Sequence, residues 1–283
     1  MSLRTKKIEE GFFKVLMILA TAVIVSCLFS ILYTIVSKGI KGMNWDMVSR
    51  VPEGGFYIGK EGGILNAIIG SLYIAGGATI LSLLFSIPIV LYINVYLNKD
   101  SKLVAFTRTS FDILFGVPSI VYGAFGFTLM VMLGLKTSLL AGIIVVTLLI
   151  IPIMVRTMDE VAMLVPRELR DAVYSLGATR WETAKVIMRQ VAPGILTAIL
   201  LSFGRAIGDA ACPLFTAGYT DSIPTSLSQP TATLPLAIFF QLSSPVEEVQ
   251  TRAYAAALIL TIIILTINVV IRIINKKLSK HQI

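Results

Sequence analysis

The chain is poor in the residues on which most catalytic and metal chemistry depends. Its 283 residues include only 2 cysteines, 1 histidine and 2 tryptophans, and charged residues make up 14%. A soluble domain of this size carries roughly a quarter charged residues, so the shortage argues against a water-soluble globule. The single histidine, His281, stands in the C-terminal tail. That excludes an H-E-x-x-H zinc site and a Ser–His hydrolase built within the apolar runs. Cys27 and Cys212 fall in separate apolar segments without metal-ligand spacing and read as small buried hydrophobes. No G-x-x-x-x-G-K-[ST] phosphate loop is present.

What the chain has in excess is apolar length. Hydrophobic residues make up 56%, and several runs exceed the ~20 residues a helix needs to cross the hydrocarbon core. The runs lack the alternation of barrel strands, and a lipid-exposed backbone must satisfy its own hydrogen bonds, so helix is expected throughout. The first run, 12–36, is too long for a signal-peptide core and reads as a retained span. We place six spans, near 13–37, 64–97, 109–133, 138–156, 193–218 and 253–274. The second is longer than a bilayer requires and should tilt or project. An even number of spans puts both termini on one side.

Charge distinguishes the two sides. The N-terminal end through Lys14, the 98–108 loop, the 156–190 loop and the C-terminal end from Arg272 hold 17 Lys and Arg, against 6 in the 38–63 loop, Lys136 and the 219–252 loop. Positive charge marks the cytoplasmic face, so both termini are expected inside. The expected organisation is a cytoplasmic N-terminus over 1–12 and one transmembrane domain over 13–283. That domain includes a cytoplasmic loop at 157–192 and external loops at 38–63 and 219–252. The net charge of +8 follows from this asymmetry toward membrane lipid, and no nucleic-acid partner need be invoked.

A polar helix–turn–helix hung between spans is a docking element. Residues 166–190 read as two short helices around Gly177. Pro166 can start the first, and Glu168 sits in its favourable N-terminal turn. Gly177 suits the position just past a helix, where a left-handed backbone costs little without a Cβ. The second mixes Trp181, Val186 and Ile187 with Arg180, Lys185 and Arg189, a pattern for inserting apolar knobs into a partner's groove. The same pattern also suits an amphipathic helix at the lipid headgroups.

This loop resembles the cytoplasmic "EAA" loop of ABC importer permeases. Asp171-Ala172-Val173, Gly177 and Ile187 match its positions, while Val173, Arg189 and Gln190 depart from the usual residues. Gly116-Val117-Pro118-Ser119-Ile120-Val121-Tyr122-Gly123 is similar to the third-span motif of phosphate ABC permeases. The stretches 203–211 and 213–218 are similar to the Arg-Ala-x-Gly-Glu-Thr-Ala-Pro-Leu-Leu-Phe-Thr-Ala segment of their PstA-type subunit, with Asp209 in place of the Glu. The resemblance runs from about Gly62 to the C-terminus. It implies an all-α polytopic protein with the type I ABC importer permease fold, in the cell membrane of a prokaryote. It further implies a PstC-type permease partner, an ATP-binding subunit dimer docked through Glu168, Asp171, Ala172, Gly177, Ala178, Arg180 and Trp181, and an external phosphate-binding protein. ATP and Mg would reside on the partner ATPase, leaving this chain a non-catalytic permease without a cofactor of its own.

Three ionisable residues read as lying within spans: Asp112, Arg205 and Asp209. Burying a charge at the bilayer centre costs from ~3 to over ~10 kcal/mol, so such residues are paired or functional. Arg205 and Asp209 are four apart, as on one helix face, and form either a self-compensating pair or an anion site. Arg offers a permanently charged planar fork matched to phosphate oxygens, and the resemblance implicates these positions in phosphate passage. Arg108 and Asp112 share the spacing and read as an interfacial pair. Alternatives to phosphate are another tetrahedral oxyanion (molybdate, tungstate or sulfate), an ion-driven secondary transporter, and a non-transport scaffold or sensor.

Overall fold

The computed structural model describes residues 3–53, 61–98 and 100–279. His281 and the middle of the 38–63 loop lie outside the described residues. The described chain forms eleven α-helices: α1 (Leu3–Gly42), α2 (Trp45–Ser49), α3 (Leu65–Leu91), α4 (Lys102–Phe115), α5 (Ser119–Met132), α6 (Leu139–Met163), α7 (Arg167–Ser175), α8 (Arg180–Ile207), α9 (Ala211–Thr216), α10 (Leu234–Leu242) and α11 (Glu247–Ser279). One π-helical turn, Tyr92–Tyr96, extends α3.

The apolar pattern explains the arrangement. α6 is apolar nearly all round, with Val146, Ile150 and Met154 fully buried, and a helix of that kind belongs at the centre of a bundle. It packs against α3 and α8, with α4, α5 and α9 completing the surround. α1 packs chiefly on α11 and presents Phe12, Ile18, Val23 and Phe29 outward. An apolar surface of this extent is suited to lipid.

Among the described residues, five helices are long and apolar enough to cross a membrane. The expected third span is a different object: α4 and α5 are each 14 residues long and meet at an angle of 97°. Either helix alone reaches only about 21 Å, less than the hydrocarbon thickness, so a sharply bent pair stands where one straight span was expected. Pro118 sets the break: extended at ψ 142, it N-caps α5. The Tyr122 hydroxyl donates to the Leu114 carbonyl across the corner at 2.9 Å.

Other spans differ from expectation in extent. α6 continues to Met163 and carries charged residues into its last turns. α8 is one helix from Arg180 through Pro193 to Ile207, rather than a short loop helix followed by a span. Pro193 removes one internal hydrogen bond from this helix, and its own carbonyl receives the side-chain amide of Asn275 on α11 at 3.2 Å. The expected external loop 219–252 folds back onto the bundle. Residues 231–237 are all buried, and the Leu234 N–H donates to Ser71 Oγ of α3 at 2.7 Å.

Candidate functional site

The first candidate lies where α8 stops. Gly208 caps the helix, and Asp209 stands beyond it in the link to α9. Arg205 and Asp209 therefore do not share a helix face as their spacing suggested. They still approach: Arg205 Nη2 lies 3.6 Å from Asp209 Oδ1. The second carboxylate oxygen accepts the Cys212 backbone N–H at 2.9 Å, satisfying a donor at the start of α9 that a helix leaves orphaned. The Asp209 side chain is 3% exposed, whereas that of Arg205 is 45% exposed. The carboxylate is thus consumed by local structure. The guanidinium spends only a long contact on it and presents donors to open space.

The elements around this break are held closely. The Thr216 carbonyl, at the far end of α9, accepts the Ser138 N–H at the N-terminus of α6 at 3.0 Å. On the other side Cys212 Sγ donates to the Ser119 carbonyl at 3.3 Å, tying α9 to the bent pair. Gly123 permits this approach, since a Cβ there would stand 2.8 Å from the Ala211 carbonyl and 2.9 Å from the Phe215 ring.

The second candidate is the loop around α7. None of its helical residues is buried. Glu168 occupies the first turn, and Glu168, Asp171 and Ala172 are exposed. Gly177 adopts φ +78, the left-handed conformation expected from its place after a helix. Thr179 then caps α8 in a reciprocal box with Glu182, an arrangement worth about 1 kcal/mol. Leu176 is 88% exposed and Trp181 56%. Ala178 is half-buried. Arg180 turns back toward α3, donating to the Tyr96 carbonyl at 3.3 Å. Trp181 shares an apolar groove with Ile87, Pro88, Tyr92 and Tyr96.

The expected Arg108–Asp112 pair is absent. Arg108 instead grips Asp159 of α6 through Nε at 2.8 Å and Nη2 at 3.1 Å, and Asp112 pairs with Arg156. Four residues missed in the sequence belong to this network: Asn94, Asp159, Arg156 and Arg170. Asp159 is 2% exposed and also accepts the Asn94 side-chain amide at 2.6 Å. Arg170 of α7 donates to the Asn94 carbonyl at 2.7 Å and the Ala162 carbonyl at 3.2 Å. Burial lowers the pKa of Arg170 from its ordinary value, though a guanidinium stays protonated. The available signal was the run Arg156, Asp159, Glu160, whose helical spacing continues α6 past its apolar end and complements Arg108 and Asp112.

Residues 86–282 match the family described as binding-protein-dependent transport system inner membrane component. The phosphate transport system permease protein PstA of Haemophilus influenzae is 34% identical over 244 residues, covering 86% of this chain and 85% of its own. PstA of Yersinia pestis is 37% identical over 252 residues, covering 89% and 84%. Among solved structures, a chain of the MetNI methionine ABC transporter in an inward-facing conformation aligns with a TM-score of 0.64 at 16% identity, over 76% of this chain and 95% of that one. A chain of a bacterial alginate ABC transporter, solved with an alginate pentasaccharide-bound periplasmic protein, aligns at 0.66 and 13% identity, over 98% and 99%. At these identities the structural likenesses speak for the fold, which is that of ABC importer permeases.

Proposed function

Because this chain belongs to the binding-protein-dependent transport inner membrane component family, and within it to the PstA-type phosphate permeases, we propose that it imports inorganic phosphate as one permease half of an ATP-driven transporter. It is a multi-pass membrane protein and a non-catalytic subunit. Its partners in this reading are a PstC-type permease, a dimer of ATP-binding subunits holding ATP and Mg, and an external phosphate-binding protein. Both termini and the α7 loop face the cytoplasm, as the bias of basic residues supports.

The observation that carries the reading is the state of Arg205. A guanidinium at a helix break inside the membrane domain, with its nearby carboxylate buried and its own side chain 45% exposed, offers a dehydrating oxyanion a charged fork. Asp209 holds the end of α9 and orients the arginine, and its direct contact with the anion is the lesser part of the proposal. In the α7 loop, Glu168, Asp171, Ala172, Gly177, Ala178, Arg180 and Trp181 form the coupling element. The exposed helix and apolar knobs sit in the ATPase, and Arg180 and Trp181 rest partly on the end of α3. The whole of 13–283 acts as one transmembrane domain.

The test is labelled-phosphate uptake into proteoliposomes holding this chain, its partner permease and the ATPase, with ATP inside and the binding protein outside. Uptake that needs both ATP and binding protein, and withstands excess sulfate and molybdate, is expected. Accumulation of molybdate, tungstate or sulfate instead would keep the machine and change the cargo. Uptake without ATP would overturn the ABC mechanism.

A further inference from the structure

The buried polar contacts at the cytoplasmic end of the bundle join four elements that the chain separates by many residues. Arg170 of α7 reaches inward and donates to the Asn94 carbonyl in the π-helical turn and to the Ala162 carbonyl near the end of α6, at 2.7 and 3.2 Å. The Asn94 side-chain amide donates to its own helix at Val90, 3.0 Å away, and to Asp159 Oδ1 at 2.6 Å. Asp159 is then held from the opposite side by the two-pronged contact of Arg108 on α4. Asn94 and Asp159 are 3% and 2% exposed. We propose that Arg170, Asn94, Asp159 and Arg108 form a clamp of positioning residues that carries displacement of the docking helix α7 to the bend between α4 and α5.

Three observations point past simple stabilisation. A buried ion pair is a poor source of stability compared with packed apolar side chains of similar volume, so its worth lies in specifying one geometry. The clamp closes on a π-helical turn, Tyr92–Tyr96, and such turns are rare and concentrate where helices do functional work. Finally, the clamp's far arm is attached to a sharply bent element rather than to a straight span. Arg108 lies on α4, whose last residue, Phe115, adjoins the 97° corner. Beyond the corner, the Ser119 carbonyl receives Cys212 Sγ of α9, next to the Asp209 carboxylate that faces Arg205. A shift of α7 that pulls on Asn94 and Asp159 therefore tilts α4, and with it the corner that supports α9. Packed elements with discrete arrangements transmit displacement in this way.

The proposal rests on the importer reading above, and its test separates the two. In the reconstituted full transporter, Arg170→Gln and Asp159→Asn should leave binding-protein-independent ATP hydrolysis near the wild-type rate. Phosphate carried per ATP should fall about tenfold, a typical size for coupling between distant sites. The double variant Arg108→Gln/Asp159→Asn should lose no more than Asp159→Asn alone, since groups acting as one unit are not additive. Equal loss of hydrolysis and uptake, or fully additive losses, would overturn the clamp. Arg170 belongs to α7, none of whose residues is buried, so Arg170→Gln remains informative where Asp159→Asn fails to assemble. Hydrogen exchange of the purified complex gives a second readout that needs no cargo. Arg170→Gln should raise amide exchange in 92–97 and also in 113–117, across the bundle. Exchange confined to α7 would sink the clamp. Wild-type proteoliposomes that take up no phosphate would remove the cargo reading, while the exchange result still decides the clamp.

Discussion

Two Arg–Asp pairs, each spaced four residues apart in the sequence, meet opposite fates. Arg108 and Asp112 part company, because α6 offers each a better partner: Asp159 for the arginine and Arg156 for the carboxylate. Arg205 and Asp209 stay together, although the helix that should have aligned them ends at Gly208. The carboxylates of the two persisting contacts are equally buried, at 3% side-chain exposure for Asp159 and for Asp209. Burial of the acid therefore does not tell a structural pair from a functional one. The arginine does. Arg108 is 25% exposed and donates two short, parallel hydrogen bonds, whereas Arg205 is 45% exposed and makes one contact of 3.6 Å. A guanidinium engaged by two short bonds to one carboxylate braces helices, whereas one that is more exposed and makes a single long contact is better placed to take a ligand.

The comparison is broken most directly by exchanging the roles. Arg205→Gln should cut phosphate uptake on the order of a hundredfold, the scale expected when a charged fork is withdrawn from a desolvated anion, with ATPase assembly unchanged on size-exclusion chromatography. Arg108→Gln should leave the KM for binding-protein-loaded phosphate within about twofold while lowering phosphate carried per ATP. If Arg108→Gln damages KM as Arg205→Gln damages uptake, the distinction between bracing and ligand-taking arginines fails.

Smaller effects sharpen the same contrast between packed and open positions. Gly123→Ala places a Cβ against the Ala211 carbonyl and the Phe215 ring. It should destabilise the complex by about 1–3 kcal/mol, as overpacking does, read as a lower melting temperature in detergent. Gly177 is the opposite case. A Cβ there meets nothing within 4 Å in this chain, so Gly177→Ala should cost only the left-handed backbone penalty of about 1 kcal/mol. Gly177→Asn should cost less than Gly177→Ala. A bulky Gly177→Lys adds a side chain at the docking turn and should uncouple hydrolysis from transport, measured as phosphate per ATP.

The smallest expected effect is on pH. Tyr219, outside the spans, packs edge-on against Phe240, and burial, with Asp221 nearby, pushes its phenol up to about 12 from 10.0. A group whose folded pKa is raised holds its proton longer in the folded state. Its contribution is complete below about pH 10 and fades as pH rises toward 12. Tyr219→Phe should flatten the fall in melting temperature over that interval.

The legible parts of the molecule are those that depend on neighbours in the chain. The helix–Gly–helix plan of the α7 loop could be read from Pro166, Glu168 and Gly177, and Gly177 takes the positive φ its position called for. Five of the expected spans correspond to single long apolar helices among the described residues, and the expected third corresponds to the bent pair. The bend itself was only half legible: Gly116 and Pro118 marked a place where a helix could stop, but nothing local measures 97°. The Arg108–Asp159 contact joins residues 51 apart, and the Arg170–Asn94 contact joins residues 76 apart, so no reading of spacing along one helix could select them.

The sequence alone determined that this chain is a helical membrane protein with a polar helix–Gly–helix loop between spans and one arginine worth watching within them. Each of these follows from hydropathy, backbone hydrogen bonding and local conformational preference. Tertiary structure decided which charges are spent and which remain available. Whether an arginine is gripped by a carboxylate depends on which acid other helices bring within hydrogen-bonding reach, and only the packing of α4, α6 and α8 against one another sets that distance.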